Sequence, residues 1–415
     1  MRAITPDFNN IMNHYRPPLQ EYEELYRRLH QDPELSYQER RTASIVAKQL
    51  SQLKYEVYPG IGGHGVAGVL RNGPGKTVLL RADMDALPVR EQTRLPYASQ
   101  KTMKDKDGNL QPVMHACGHD MHVAMLLACS NLLSSGRSVW SGALICLFQP
   151  REEAGDGAQA MIDDGLYDKY GIPKPDIILG QHIVGGIKAG VVALASGPVL
   201  TTADFLSVRI PGVGGHSSTP QDCVDPIVLA SHIVVRLQTI VSREVGPKQF
   251  GLITCGSLHA GRGIGNVIPD HAEMKINVRA YLPEVKDQML KAVERIVNAE
   301  CEASATPTKP EVNTFISTPP TINDDRVVEV LRSAFGPFFK EKLITMEPGS
   351  ASEDFANLAM SKIPYAYWWI GCDAVDSPQK MPGNHSPFFA PAIQPTLRTG
   401  LDAFAIAVFR ILEKN

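Results

Sequence analysis

Thr77-Val-Leu-Leu-Arg-Ala-Asp-Met-Asp85 combines a short apolar run with two acidic residues that follow it at once. The run has the length of a strand and few polar interruptions, which is typical of a strand covered on both faces. Three other runs share this character and are separated by longer segments, at 143–148, 176–179 and 365–370. Together they predict a mostly parallel sheet buried between helices.

Helical spacing surrounds these strands. Apolar residues recur every three or four positions over 19–29 and again over 42–53, on either side of Pro33. Further helical candidates lie between the strands, at 122–133 and 158–164. The alternation of strands and helices indicates the α/β class, with a mixed, mostly parallel sheet flanked by helices.

The pattern changes near residue 200. Alternating strands and two helices are predicted there, at 204–210, 226–240, 251–254, 272–279 and 285–302. Polar–apolar alternation is typical of a sheet with one exposed face. We therefore predict an α+β sandwich domain at 200–315, inserted into a catalytic domain formed by 1–199 and 316–415, because strand-like apolar residues return after Pro319-Pro320.

Length and charge restrict the class of protein. A chain of 415 residues is too long for one ordinary core and suggests two or three domains. The hydrophobic fraction of 43% and charged fraction of 20% exclude a disordered or fibrous chain. The formal net charge of −3 gives no electrostatic reason to expect nucleic acid or a membrane surface as a partner.

The expected location is cytoplasmic. The amino-terminal residues lack the apolar core of a secretory signal, and no stretch approaches the roughly 18 apolar residues of a membrane span. The seven cysteines are an odd number and are spread singly along the chain, which argues against a disulfide framework.

Candidate catalytic side chains follow the predicted strands, where ligands bind in open α/β sheets. They are Asp83 and Asp85 after the first strand, Glu152 and Glu153 after the second, His182 after the third and His385 after the fourth. Cys117 and His119 lie between the first two strands. Any one of these residues alone would be read as an ordinary surface or core residue. Their concurrence predicts a two-metal hydrolase, in which paired cations lower the pKa of a bound water towards about 7 and polarise a carbonyl.

Longer motifs extend this pattern along nearly the whole chain, from Arg27-Arg-Leu-His30 to His385. They are Arg81-Ala-Asp-Met-Asp-Ala-Leu-Pro88, His115-Ala-Cys-Gly-His-Asp-Met-His122, Phe148-Gln-Pro-Arg-Glu-Glu153, Gly214-Gly-His-Ser-Ser218, Asn266-Val-Ile-Pro-Asp270 and Ser352-Glu-Asp-Phe355. With these motifs the sequence resembles the aminoacylase and carboxypeptidase-like dinuclear metallohydrolases, in the branch of hippurate hydrolases and plant auxin-conjugate amidohydrolases.

The resemblance implies a zinc-exopeptidase-like catalytic domain that binds two divalent metal ions, zinc or manganese, with cobalt also acceptable. The implied ligands are Cys117, His119, Glu153, His182 and His385. The resemblance further implies that Glu152 is the general base and that Asp85 orients a ligand. In the inserted domain it implies that His216 polarises the oxyanion and that Asn266 and Arg279 lie near the substrate carboxylate. That domain would serve as lid and dimerisation surface, so a homodimer or larger homo-oligomer is expected.

The sequence departs from the family pattern at three places. Arg151 stands where the family more often has a small residue, the 258–262 segment is an unusual lead into Asn266, and the 386–395 segment is less acidic than expected. The first two lie near the expected substrate edge. The departures therefore concern the substrate more than the metal chemistry, because the ligand residues are intact.

The predicted function is an amidohydrolase that cleaves N-acyl amino acids, or related small amides with a free carboxylate, by metal-bound hydroxide with Glu152 as the base. A metallo-dipeptidase or carboxypeptidase on small peptides is an alternative, and so is a catalytically decayed binding protein on the same fold. A cysteine hydrolase using Cys117 with His119 is disfavoured, since such a site seldom comes with four further ligands.

Overall fold

The structure, a computed structural model, describes residues 7–376 and 380–414. Residues 1–6, 377–379 and 415, which the sequence assigns to the catalytic domain, lie outside the described residues. The chain divides into two compact units. Unit 1 consists of Met1–Gly197, Ile322–Glu347 and Asp354–Asn415, and unit 2 of Pro198–Thr321 and Pro348–Glu353.

The elements of the first half of the chain alternate between helix and strand. They are α1 (Phe8–Tyr15), α2 (Gln20–Gln31), α3 (Arg40–Gln52), β1 (Glu56–Ile61), β2 (Gly65–Asn72), β3 (Thr77–Asp83), β4 (Thr102–Lys104), β5 (Leu110–Pro112), α4 (His119–Ser135), β6 (Gly142–Gln149), α5 (Gly157–Asp163), β7 (Ile177–Lys188), β8 (Val192–Ala193) and β9 (Gly197–Leu200).

The second half begins with the elements of unit 2 and then returns to unit 1. Its elements are β10 (Ala203–Pro211), β11 (Gly215–His216), α6 (Pro226–Thr239), β12 (Gly251–Ala260), β13 (Val267–Ile268), β14 (His271–Ala280), α7 (Pro283–Ala303), β15 (Glu311–Thr318), β16 (Thr321–Asn323), α8 (Asp325–Phe339), β17 (Leu343–Ile344), β18 (Tyr365–Asp373) and α9 (Ile393–Ile411).

Unit 1 is built on an eight-stranded sheet in the order β1-β2-β6-β3-β7-β18-β8-β17. The four central strands β6, β3, β7 and β18 are parallel to their neighbours within this group, whereas β1 and β2 run antiparallel at one edge. Strands β3, β6 and β18 are buried almost throughout and β7 over 178–183, and helices α4 and α9 pack with them in one hydrophobic core. The predicted mixed, mostly parallel sheet flanked by helices is confirmed.

The parallel register places the site. Asp83 at the end of β3 pairs with Gln149 at the end of β6, and Arg81 pairs with Gly180 of β7. The carboxyl ends of β3 and β6 therefore meet at one edge, beside the first half of β7, where the segments after β3 and β6 and the start of α4 come together. Arg81 is buried beneath this edge, with its guanidinium donating to Gln149 and Asp83 at 2.9 and 2.6 Å.

Unit 2 contains an antiparallel sheet in the order β12-β14-β10-β15, with buried residues of α6 and α7 in its core. Burial alternates along β14, so one face of the strand packs on the core and the other is more open. The boundary predicted at residue 315 falls inside β15, which pairs with β10. Pairing of β15 with β10 therefore extends unit 2 past residue 315.

No helix among the described residues has the length and apolar character that a membrane crossing requires.

Candidate metal centre

The turn before α4 carries two of the predicted ligands, Cys117 and His119. Gly118 between them has a φ of +84°, in the left-handed region that glycine adopts without steric cost. A Cβ atom at Gly118 would lie 2.3 Å from Cδ1 of Ile183. Both the backbone conformation and the packing therefore require glycine here, and the turn places the two side chains at the edge of the sheet.

The structure brings all five predicted ligands together within unit 1. Ligand atoms of Cys117, His119 and Glu153 lie within 4.8 Å of one another. The Cys117 Sγ atom is 3.5 Å from Nε2 of His182, and Nε2 of His385 is 3.5 Å from Oε1 of Glu153. The general-base candidate borders the same cluster, with Oε2 of Glu152 at 3.8 Å from Nε2 of His119.

Two atoms of this cluster are buried without a hydrogen-bond partner in the described part of the chain, Nε2 of His119 and Oε1 of Glu153. They face each other at 3.9 Å. Buried polar atoms are rarely left unsatisfied, because the lost hydration is costly. Thiolate, imidazole and carboxylate are also the ligands that zinc and related divalent ions take in proteins. The residues present thus fit divalent metal ions.

Backbone hydrogen bonds aim the two buried imidazoles. His119 donates from Nδ1 to the carbonyl oxygen of Asp85 at 2.9 Å, and His182 donates from Nδ1 to the carbonyl oxygen of Ile183 at 2.6 Å. In each ring the Nε2 lone pair is then directed into the cluster. Such outer partners fix the tautomer and orientation of histidine ligands at metal sites.

The Asp85 side chain holds the loop that carries both glutamates. Its Oδ1 accepts the backbone N–H of Glu152 at 3.1 Å, and its Oδ2 accepts that of Glu153 at 3.0 Å. Burial opposes the charged form of Asp85, but His119, Ser36 and the Glu153 N–H outweigh it, so its pKa lies below the usual value. The carboxylate therefore stays ionised and ties the β3 edge to the glutamate loop.

Asp83 and His122 lie beside the cluster, but the oxygen and nitrogen atoms with which they could bind a metal already make hydrogen bonds within the protein. His122 donates from Nδ1 to Asp83 at 2.5 Å and accepts the N–H of Ile183 on Nε2 at 2.9 Å. The other oxygen of Asp83 accepts from Arg81 at 2.6 Å. These two residues shape the site, and both ring nitrogens of His122 are engaged within the protein.

Burial opposes ionisation of the two acidic groups of the cluster, Cys117 and Glu153. It raises the pKa of the Cys117 thiol well above its usual value, and nearby Glu153 adds to this effect. Burial also raises the pKa of Glu153. Both groups are held back from ionising without a cation, so binding of a divalent ion would release protons.

His385 reaches the cluster from a loop and is the most exposed of the five, with 57% of its side chain accessible. Its backbone N–H donates to the carbonyl of Ala116 at 2.8 Å. The preceding Asn384 donates to the carbonyl oxygens of Cys117 and Ile183, both at 3.2 Å. Asn384 thus anchors this loop to two ligand segments, and neither its type nor its position in the sequence indicated that role.

The other three predicted site residues lie in unit 2. His216 pairs with Val267 between β11 and β13, and its Nδ1 lies 2.7 Å from the Ser218 hydroxyl. The carbonyl of Asn266 accepts the N–H of Ser217 at 3.1 Å, which makes Asn266 a neighbour of the His216 turn. Arg279 donates to Oδ1 of Asn277 at 2.8 Å and to the carbonyl of Ser350 at 3.1 Å.

Arg151, one of the departures from the family pattern, contacts residues of unit 1. Its guanidinium carbon lies 4.7 Å from the centre of the Tyr37 ring, and its Nε is 3.3 Å from Oδ1 of Asp156. The Tyr37 hydroxyl donates to the same carboxylate at 3.0 Å. These contacts of Arg151 therefore stabilise the loop that contains Glu152 and Glu153.

The profile of Peptidase family M20/M25/M40 matches residues 79–409 of this chain. The hippurate hydrolase of Campylobacter jejuni is 38% identical over 351 residues, which cover 84% of this chain and 87% of that protein. The N-acetyl-L-cysteine deacetylase of Bacillus subtilis is 37% identical over 350 residues, covering 84% and 80%. The YXEP protein of Bacillus subtilis, a dinuclear metal binding peptidase from the M20 family, superposes with a TM-score of 0.78 at 26% identity, covering 95% of this chain and 98% of that one.

Proposed function

We propose that this chain cleaves N-acyl amino acids or related small amides with a free carboxylate. The chain belongs to Peptidase family M20/M25/M40 and is a hydrolase of amide bonds. The observation that carries the proposal is the buried cluster of Cys117, His119 and Glu153 with Glu152 beside it. The names of the hippurate and N-acetyl-L-cysteine relatives support the substrate class.

In this proposal Cys117, His119, Glu153, His182 and His385 hold two divalent ions, zinc or manganese. When bound, such ions supply a Lewis acid for the amide carbonyl and make a nearby water more acidic. His119 is fully buried and only 9% of the Glu153 side chain is accessible, so bulk water is largely excluded from the inner side of the centre. His385, at the exposed side, leaves the outer face open to substrate.

Glu152 is the proposed proton acceptor and donor. Its backbone is fixed by Asp85, while its Oε2 borders His119 at 3.8 Å. A carboxylate in this position can take a proton from the attacking water and return it to the leaving nitrogen. Both glutamates lie near Nε2 of His119, but adjacent Glu153 also lies 3.5 Å from Nε2 of His385. Contact with two of the proposed ligands supports Glu153 as the ligand and leaves Glu152 as the base.

Unit 2 is the proposed lid and dimerisation domain. Its His216 would stabilise the oxyanion, and Asn266 and Arg279 would bind the substrate carboxylate. The exposed apolar side chains on α6 support an interface on this unit, since Ile227, Val228 and Val235 have 45%, 55% and 71% of their surface accessible. The proposed protein is a cytoplasmic homo-oligomer.

Substitution Glu152→Gln tests the proposed base. We expect the variant to keep the metal content of the wild type and to lose at least about 100-fold in kcat on a panel of N-acyl amino acids, because general acid–base catalysis contributes about that much or more. Elemental analysis and initial rates are the two measurements. An active variant with full metal content would contradict the assignment of Glu152.

The same panel separates the alternative enzymes. Hydrolysis of acyl amino acids but not of dipeptides supports the amidohydrolase, whereas the reverse preference supports a metallo-dipeptidase. Activity that survives complete removal of metal by a chelator would point to Cys117 as a nucleophile instead. A wild-type protein that takes up no metal and cleaves neither class would favour the binding-protein alternative.

A further inference from the structure

The amino-terminal segment 30–39 contains no predicted ligand, yet it contacts three stretches of chain at the candidate centre: the residues after β3, the loop of Glu152 and Glu153, and the start of α4. It runs from the end of α2 to the residue before α3. Leu35 forms a parallel bridge with Ala86, and the Ala86 N–H donates to the carbonyl of Glu34 at 2.8 Å. The segment therefore lies directly alongside the residues that follow β3.

The first contact goes to the glutamate loop through Asp85. The Ser36 hydroxyl donates to Oδ2 of Asp85 at 2.6 Å. This is the oxygen that also accepts the backbone N–H of Glu153 at 3.0 Å. Ser36 thus fixes the rotamer of the carboxylate that holds both glutamates.

The second contact reaches the same loop one residue earlier. Glu39 is fully buried, and its Oε1 accepts the backbone N–H of Arg151 at 2.9 Å and that of Tyr37 at 3.1 Å. Arg151 has a φ of +58°, a conformation that a non-glycine residue keeps only when its surroundings hold it. Glu39 supplies such a restraint at the residue that precedes Glu152.

The third contact holds the start of α4. His30 is buried, and it bonds Oδ2 of Asp120 from Nδ1 at 2.7 Å and Oε1 of Glu91 from Nε2 at 3.1 Å. Asp120 directly follows the ligand His119 in the first turn of the helix. One segment of ten residues therefore restrains the helix start, the Asp85 carboxylate and the glutamate loop.

We propose that the 30–39 segment is a positioning element that sets how tightly the centre holds its metal ions. The proposal rests on the metal site of the proposed function. Ser36 and Glu39 are positioning residues in it, because each acts through Asp85 or Arg151 rather than through the ions. Loss of such outer contacts at metal sites weakens metal affinity by about 10- to 100-fold.

The test compares metal dissociation constants of holoenzyme variants by competition with a chelator, using Zn²⁺ as the probe. We expect Ser36→Ala and Glu39→Leu each to weaken Zn²⁺ binding by about tenfold or more. Ser36→Thr keeps a hydroxyl and Glu39→Gln keeps an accepting oxygen. Ser36→Thr should therefore bind Zn²⁺ more tightly than Ser36→Ala, and Glu39→Gln more tightly than Glu39→Leu. If Glu39→Leu does not fold, the Ser36 pair decides the outcome.

Thr42→Val is the matched control. Thr42 is buried and donates from its hydroxyl to the Glu34 side chain at 2.9 Å, so the variant loses a buried hydrogen bond to the same segment. The Glu34 side chain makes none of the three contacts described above, which come from Ser36, Glu39 and His30. Thr42→Val should lower the melting temperature but leave Zn²⁺ affinity at the wild-type value. The visible spectrum of the Co²⁺-substituted protein gives a second readout, because its bands change when ligand geometry relaxes and not when stability alone falls.

Ser36→Ala and Glu39→Leu proteins with wild-type Zn²⁺ affinity and unchanged Co²⁺ spectra would overturn the proposal. Equal losses of affinity in these variants and in Thr42→Val would also overturn it, since the effect would then be general destabilisation. A wild-type protein that binds no metal would instead contradict the proposed function.

Discussion

Backbone groups orient the donor atoms at the candidate metal centre. His119 and His182 each donate Nδ1–H to a backbone carbonyl, while the backbone N–H groups of Glu152 and Glu153 donate to Asp85. A side chain restrained in this way loses less conformational freedom when it binds an ion. The sequence motifs name the residue types that bind metal, but these four hydrogen bonds decide which atoms face the centre.

The Glu91–His30–Asp120 cluster predicts a pH dependence of stability. Burial lowers the pKa of His30, but hydrogen bonds to Asp120 and Glu91 outweigh this and raise it from 6.5 to about 9. A histidine with a raised folded-state pKa contributes stability that is complete below 6.5 and is lost as the pH rises through 9. The free energy of unfolding should therefore fall between these values, by about 3 kcal/mol at most.

Chemical denaturation of the wild type and His30→Gln between pH 6 and 10 measures this effect. The variant has no titrating group at this position, so the difference in unfolding free energy between the two proteins should shrink across the same window. A difference that stays constant with pH would show that the pKa of His30 is not raised in the folded protein.

At the scale of elements, the join between the sheet and α4 determines the site. Helix α4 begins at the predicted ligand His119, and β3 ends two residues before Asp85, so the positions of the predicted ligands depend on where these elements begin and end. Apolar runs in the sequence located the buried central strands, because burial on both faces removes polar residues. The strands β1 and β2 were not predicted. Glu56–Ile61 is largely exposed and lacks such a run, whereas β2 is buried over its first six residues and its apolar run at 66–70 could have indicated it.

Substitution Gly118→Ala tests how strictly the turn before α4 is required. The new Cβ would clash with Ile183 at 2.3 Å, and the positive φ adds strain of about 1–2 kcal/mol. We expect a lower melting temperature together with reduced metal occupancy. Gly108→Ala is a matched control, because Gly108 has a φ of +83° but no atom lies within 4 Å of the position that its new methyl group would take. Gly108→Ala should lower the melting temperature through backbone strain alone and keep full metal occupancy. Equal metal occupancy in the two variants would show that the turn at Gly118 does not position the predicted ligands.

At the scale of the whole molecule, the chain forms two units with separate cores. The predicted ligands and base belong to unit 1, and the predicted oxyanion and carboxylate-binding residues belong to unit 2. Helix α6 of unit 2 carries three exposed apolar residues, Ile227, Val228 and Val235, and Val228 and Val235 lie seven residues apart on one face of the helix. A second copy of the chain is the occupant that the resemblance implies.

Val235→Glu should therefore shift the assembly towards the monomer, because a charge would be buried at the interface. Sedimentation velocity over a range of concentrations measures the change. Val330→Glu on α8 of unit 1, where Val330 is 38% exposed, introduces the same charge and should leave the assembly unchanged. A wild type that is monomeric at all concentrations would contradict the predicted oligomer.

The sequence by itself determined the class of the fold and the types of residue that form the candidate metal centre. Buried parallel strands require continuous apolar runs, and metal ligands require thiol, imidazole and carboxylate groups, so both leave direct marks on composition and order. Only the tertiary structure showed that segment 30–39 contacts the ligand loops, that Asn384 anchors the His385 loop and that Arg151 packs on Tyr37. These contacts join residues far apart in sequence through common polar side chains, and such pairings depend on the assembled chain rather than on any local pattern.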